Sequence, residues 1–143
     1  MNSAAPVRLV ALREQAIDVN EALDALDDPA SGGLVLFVGR VRDHDQERGV
    51  VALEYTAHPT ALTQLEAVCA EVAAEFAVSG LAAVHRVGRL EIGDVAVVVA
   101  TCSAHRGDAF AASRALIDRL KERVPIWKHQ IFTDGGSEWV GTP

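Results

Sequence analysis

Residues 120–130 read LKERVPIWKHQ and hold Lys121 and Lys128, the two lysines of a chain whose 13 basic residues are otherwise all arginine. A plain cation is met elsewhere by Arg, so two lysines flanking Val-Pro-Ile-Trp point to something arginine cannot supply. A lysine sheds its proton when it is desolvated or crowded by other cations, and then serves as nucleophile, acid or base. Arg119, Arg123 and the other lysine are the candidate crowding charges. A structural account also exists for each. Lys121 falls in the last turn of a predicted helix, where the dipole favours a cation, and Lys128 reads as an exposed strand residue.

Two further basic stretches could meet an anion. Gly39-Arg40-Val41-Arg42 ends a strongly apolar run, and strand alternation places Arg40 and Arg42 on one face. They suit ligand contact at a strand end, or plain solvation. Ser103-Ala104-His105-Arg106 lies between a buried strand and a helix. Free N–H groups and the dipole favour an anion at a helix start, and His105 could move a proton near neutral pH. It reads equally as a helix entry with a satisfied histidine.

No Gly-rich phosphate loop, G-x-G-x-x-G, paired-Cys spacing or His-Glu-x-x-His occurs, and the five histidines are scattered. No metal and no resident cofactor is expected. The net charge is −7, which argues against a general nucleic-acid binder. Residues 105–128 nonetheless carry six basic and three acidic side chains, a localised patch that fits an anion site, a solvated helix face or, less well, an RNA-binding face. No apolar run is long enough to cross a membrane, and MNSAAPVRLV lacks the layout of a signal peptide. Cys69 and Cys102 sit in apolar segments and are expected as buried thiols of a reducing, cytoplasmic compartment.

The elements that must position these residues follow from periodicity. VRLVALREQAI reads as a strand. Asp18 and Glu21 form a capping box that starts a helix, closed by the stretch from Pro29 to Gly33. LVLFVGRVR and VVALEYTAH read as strands around a polar loop, DHDQERG. Pro59 opens a helix with Leu62, Leu65, Val68, Val72 and Phe76 on one face. Residues 80–104 hold two or three strands with a turn at Gly93-Asp94. A further helix uses Phe110, Ser113, Leu116, Ile117, Leu120 and Val124, stopped by Pro125. PIWKHQIFT and the short SEWVG follow as strands. Short turns between strands join antiparallel neighbours, so the pattern is a single α+β domain, residues 1–143, with three helices on a mixed, largely antiparallel sheet.

Taken together, FVGRVRDH, HRVGRLEIGD, SAHRGDAF, LKERVPIWK and DGGSEWV occur in an order that resembles the catalytic (large) subunit of molybdopterin synthase, from Val7 to Val140. The resemblance implies an α/β-hammerhead-like fold. It implies a sulfurtransferase that converts cyclic pyranopterin monophosphate (precursor Z) into molybdopterin. Sulfur would come from the thiocarboxylated Gly-Gly tail of a small ubiquitin-like carrier subunit, in a heterotetramer built on a central homodimer. By the same resemblance Lys121 and Lys128 are catalytic. Arg40, Val41, Arg42, His105, Arg106, His129 and Gln130 join them in binding substrate. Many relatives follow the second lysine with a basic residue and Glu, where this chain has His129-Gln130. His105 and Lys121 lie 16 residues apart (121 − 105), roughly 24 Å along a helix. That separation suggests a site whose lysines come from one subunit and whose His105 and Arg106 come from its mate.

Overall fold

The run VAVVVATCS has no polar alternation because both of its faces are covered. In the computed structural model, which describes residues 5–140, it forms strand β7 (Val95–Ser103), buried along almost its whole length. Its companions are β1 (Val7–Arg13), β2 (Gly33–Arg40) and β5 (Gly80–Arg86), in the order β1-β5-β7-β2. β1 runs parallel to β5, and the other pairs are antiparallel.

Helices α2 (Ala61–Glu75) and α3 (Arg106–Arg123) cover one face. They bury Leu65, Val68, Val72, Leu116 and Leu120 against Leu81, Ala83, Val97 and Val99. The alternate residues Ala82, Val98, Ala100 and Cys102 point the other way, to Ala22 and Leu26 at helix α1 (Val19–Ala25). Each fully buried Leu or Val contributes roughly 1.5–3 kcal/mol. Inside this core the Thr101 hydroxyl donates to the Ala109 carbonyl at 2.7 Å and lies 2.7 Å from the Ser113 hydroxyl, fixing α3 on β7.

A second sheet is built on β4 (Arg48–Ala57). It pairs with β6 (Gly88–Glu91), with β8 (Ile126–Phe132) and, at its start, with the short β3 (His44–Asp45); β9 (Ser137–Val140) adds to β8. The architecture is α+β with three helices and mostly antiparallel pairing. Cys69 and Cys102 are buried and free. Gly141, the end of the SEWVG stretch, and Met1 to Ala4 of the opening segment lie outside the described residues.

Several expectations shift. α2 starts at Ala61, with Thr60 as its cap, so its buried stripe is Ala61, Leu65, Val68, Cys69 and Val72, and Leu62 is 40% exposed. α3 starts at Arg106, and its stripe is Ala109, Ala112, Ser113, Leu116 and Leu120, which leaves Phe110 61% exposed. Half of the capping box forms. The Asp18 carboxylate accepts from the Asn20 N–H, while the Glu21 carboxylate pairs with Arg13. The polar segment DHDQERG is a β3–β4 hairpin, turned by Gln46 and Glu47 at φ 49° and 67°, the left-handed geometry of two-residue hairpin turns.

One core residue is out of character. His85 on β5 is 3% exposed. Its Nδ1–H donates to the Arg86 carbonyl at 2.7 Å, and the Tyr55 ring meets it edge-on at 4.8 Å. Burial, with a smaller push from the Lys121 ammonium, drops its pKa to about 4 against the opposing Arg86 hydrogen bond. Above the unfolded pKa of 6.5 the ring is neutral in both states. As pH falls from 6.5 towards 4 the unfolded chain takes a proton that the folded chain refuses. Stability is therefore lost across that window, on the order of 3 kcal/mol in total. Urea unfolding at pH 4.5 and 7 should show this slope in the wild type. His85→Phe, which keeps a ring against Tyr55, should flatten it; an equal slope in both proteins would assign the acid lability elsewhere.

Candidate active site

The α3 helix ends because Pro125 disfavours helical geometry at Val124. The Val124 N–H still bonds to the Leu120 carbonyl, the Ile126 N–H bonds to Val124, and the Pro125 carbonyl accepts from His58 at the end of β4. These bonds turn the chain directly into β8. There the antiparallel register sets Lys128 opposite Tyr55 and Gln130 opposite Leu53. Alternation puts Lys128 and Gln130 on one face of the strand.

That face and Lys121 enclose a cavity of about 150 Å³, shared with Arg40, Val41 and Arg42 at the end of β2, with His44 and with Tyr55. A second hollow of about 200 Å³, with Leu120, Val124, Ile126 and His85 in its wall, lies on the other side of Tyr55, Lys121 and Lys128. The two amines thus stand between a cationic compartment and a more apolar one.

Charge bookkeeping separates these cations from the rest. Nine arginines, Arg8, Arg13, Arg42, Arg48, Arg86, Arg89, Arg114, Arg119 and Arg123, make ion pairs. Among the described residues Arg40, Arg106, Lys121 and Lys128 make none. Arg119 and Arg123, expected to crowd Lys121, are instead committed to Glu71 and Glu75 on α2. The crowding charge is Lys128. Lys121 keeps solvent access as a residue, yet protein around its amine lowers its pKa by desolvation first and by the Lys128 ammonium second.

The other candidates divide. Val41 is buried, its N–H bonded to the Asp94 carbonyl and its own carbonyl accepting from Gly93, so it anchors the two arginines beside it. Arg42 is exposed, and its guanidinium lies 3.5 Å from the Asp45 carboxylate. Gln130, 3% exposed, donates its amide to Asp45 at 2.7 Å. His129 does not line the cavity. It faces the opposite side of β8, stacked on Trp139 at 4.4 Å with 11° between the rings. His105 and Arg106 sit at the far end of α3, exposed, beside a separate shallow hollow with Gly32 and Gly107. Most of the length of α3 divides them from Lys121, roughly 24 Å of rise.

Tyr55, His44 and His85 also stand at the site. The two histidines fall within the stretches FVGRVRDH and HRVGRLEIGD, where nothing singles them out, and Tyr55 has no sequence signal that marks it. Tyr55 is the chain's single tyrosine, but its place follows from the β4–β8 register. No three His, Cys, Asp or Glu side chains gather as a metal site among the described residues. What the site offers is several fixed positive charges for an anion and one amine primed to exchange a proton.

Residues 12–123 match the family model described as MoaE protein. The chain is 42% identical over 134 residues to molybdopterin synthase catalytic subunit 1 of Mycobacterium tuberculosis, covering 91% of this chain and 88% of that one. It is 39% identical over 132 residues to the molybdopterin synthase catalytic subunit of Halalkalibacterium halodurans, covering 92% and 84%. The crystal structure of molybdopterin synthase from Staphylococcus aureus superposes with a TM-score of 0.85 at 34% identity, covering 94% of this chain and 98% of that one. This chain belongs to the MoaE protein family.

Proposed function

We propose that the protein is the catalytic subunit of a molybdopterin synthase, an enzyme of molybdopterin synthesis that acts as a sulfurtransferase. Its substrate is precursor Z, and its sulfur donor is the C-terminal thiocarboxylate of a small carrier subunit. The observation that carries this reading is the pair of unpaired amines, Lys121 and Lys128, on a cavity that also holds Arg40 and Arg42.

The chemistry divides naturally. The cyclic phosphate of the substrate needs arginines and finds them at the end of β2. The carrier's thiocarboxylate sulfur attacks a substrate carbon, an oxygen substituent leaves that carbon with a proton, and water later cleaves the acyl–sulfur bond, which leaves sulfur on the pterin and a carboxylate on the carrier. That cleavage passes through a tetrahedral oxyanion, which an ammonium within reach stabilises. Lys121, with its depressed pKa, is suited to passing protons to and from the departing groups. Lys128 keeps Lys121 poised by its charge and adds to the positive field.

The central dimer has support of a different kind. β2 is an edge strand of the first sheet, and Leu34 and Phe37 on it are exposed, as is Phe110 one turn after Arg106. Exposed apolar side chains along an edge strand and at the neighbouring helix start suit self-association. In such a dimer the far end of one subunit's α3 can complete the lysine cavity of the other.

Incubation with a thiocarboxylated carrier and precursor Z should give dithiolene product; a competent carrier without product removes the reading. Lys121→Arg keeps the charge but not the exchangeable proton and should lower kcat by about 100-fold or more. Wild-type turnover by that variant would reduce Lys121 to a simple cation.

Complementation tests the shared site. Lys121→Ala and Arg106→Ala should each be nearly inactive. Half of the dimers in an exchanged equal mixture are mixed, with one intact site of two, so about one quarter of wild-type activity should return. No recovery, with exchange verified by mass, would place both clusters in one subunit's site.

A further inference from the structure

Strand β5 is buried from Gly80 to His85, and its alternate residues Leu81 and Ala83 pack in one core with Leu116 and Leu120 of α3. Alternation turns His85 to the same side. There the last turn of α3 brings Lys121, and the imidazole joins the wall of the second hollow with Lys121, Lys128 and Tyr55. An aliphatic side chain would fill this place without the acid lability that His85 brings, so packing alone does not account for an imidazole.

The geometry fixes what the ring offers. A carbonyl only accepts, so the 2.7 Å contact with the Arg86 oxygen requires the proton on Nδ1. Nε2 then carries the lone pair, and it has no hydrogen bond to any described residue. The Tyr55 ring, edge-on at 4.8 Å, restrains the imidazole. The other polar side chains of the hollow are two ammonium groups and the Tyr55 hydroxyl, which bring N–H and O–H donors. Nε2 is the side-chain atom there that accepts without donating.

The acyl–sulfur cleavage of the proposed function calls for such an atom. Water attacks with a lone pair, so its two hydrogens must be directed elsewhere. We infer that His85 is a further catalytic residue: Nε2 accepts one hydrogen of the water that cleaves the acyl–sulfur bond, while the neutral amine of Lys121 takes the other. The water oxygen bonds to the acyl carbon, the carbonyl oxygen becomes an oxyanion beside the Lys128 ammonium, and one proton passes to Lys121. The oxyanion then collapses. The carbon–sulfur bond breaks with its electron pair on sulfur, which stays on the pterin, and the carrier's new carboxyl group gives its proton to solvent. His85 keeps its hydrogen bond and takes no proton. Burial lowers its pKa to about 4, so the ring stays an acceptor beside the two amines. The role rests on the proposed function for its substrate.

The test is a single turnover with thiocarboxylated carrier and precursor Z, quenched and followed by intact mass. In His85→Phe the carrier–substrate adduct should form at the wild-type rate. Its cleavage should slow by about 100-fold, the lower end of what a positioned proton acceptor contributes, so the adduct accumulates. His85→Gln can set a carbonyl oxygen near the Nε2 position and should recover most of the rate. His85→Asn still reaches the Arg86 carbonyl but ends short of that position, and should be as slow as His85→Phe.

Adduct cleavage at the wild-type rate in His85→Phe, or a Gln variant as slow as the Phe variant, overturns the inference. Equal slowing of adduct formation does so too, because it marks a general disturbance of the site. One readout needs no variant. In ¹⁵N-histidine-labelled wild type near neutral pH, His85 should carry its proton on Nδ1 and none on Nε2; the opposite tautomer leaves no acceptor and sinks the idea. If the wild type gives no product with a competent carrier, the proposed function fails and this role fails with it. Wild-type product together with unslowed cleavage in His85→Phe removes the role of His85 alone.

Discussion

Two ammonium groups do not gather in a half-enclosed cavity unless the backbone forces them to. Here the force comes from the break at Pro125. The Leu116 and Leu120 side chains and the Thr101–Ser113 contact fix the end of α3 on the first sheet. The β4 register fixes β8 in the second. Between them lies a turn of a few residues, clamped by backbone bonds through Val124, Pro125 and His58. The backbone position of each lysine is thereby set by an element of the core. The Lys121 pKa is lowered there, by desolvation first and by the Lys128 ammonium second.

The rest of the charge pattern serves the same end. An acidic protein has carboxylates to spare, and it uses them to neutralise arginines that are structural. Arg119 and Arg123 tie α3 to α2 through Glu71 and Glu75. Arg86 is held by Asp94, whose carboxylate also accepts from the Glu91 N–H in the turn. The ion pairs near the surface contribute little stability singly. Their effect on the field is larger, because the unpaired cations concentrate at the cavity and at the start of α3. A net charge of −7 and a cationic site are thus compatible.

Much of this was legible from residue types. The Lys count marked the segment that lines the cavity, proline marked its turn, and helical spacing correctly grouped Ser113, Leu116 and Leu120 as buried. Helix phase was harder. The buried stripe of α2 is centred on Ala61, Leu65 and Val72, which leaves Leu62 at its edge, and that of α3 on Ala109, Leu116 and Leu120, which leaves Phe110 off it. A one-residue error in phase rotates a helix by about 100°, enough to exchange core for surface. Pairing partners were not legible at all. Tyr55, His44 and the Gln130–Asp45 bond exist because strands distant in sequence lie in a particular register. No local pattern encodes that. His129 is the instructive case. Alternation sets it on the strand face opposite Lys128, and the structure places it there, stacked on Trp139.

The length of α3 gives the last constraint. A helix rigid enough to present Lys121 at one end must hold His105 and Arg106 far away at the other. A single chain cannot fold that separation away, because the same helix is the lid of the main core. If both ends act on one substrate, a second subunit has to bring its own helix start to the cavity. The exposed Leu34, Phe37 and Phe110 around that helix start then have a use that the isolated chain does not give them. On this reading the dimer is a consequence of anchoring a catalytic lysine at the end of a long core helix.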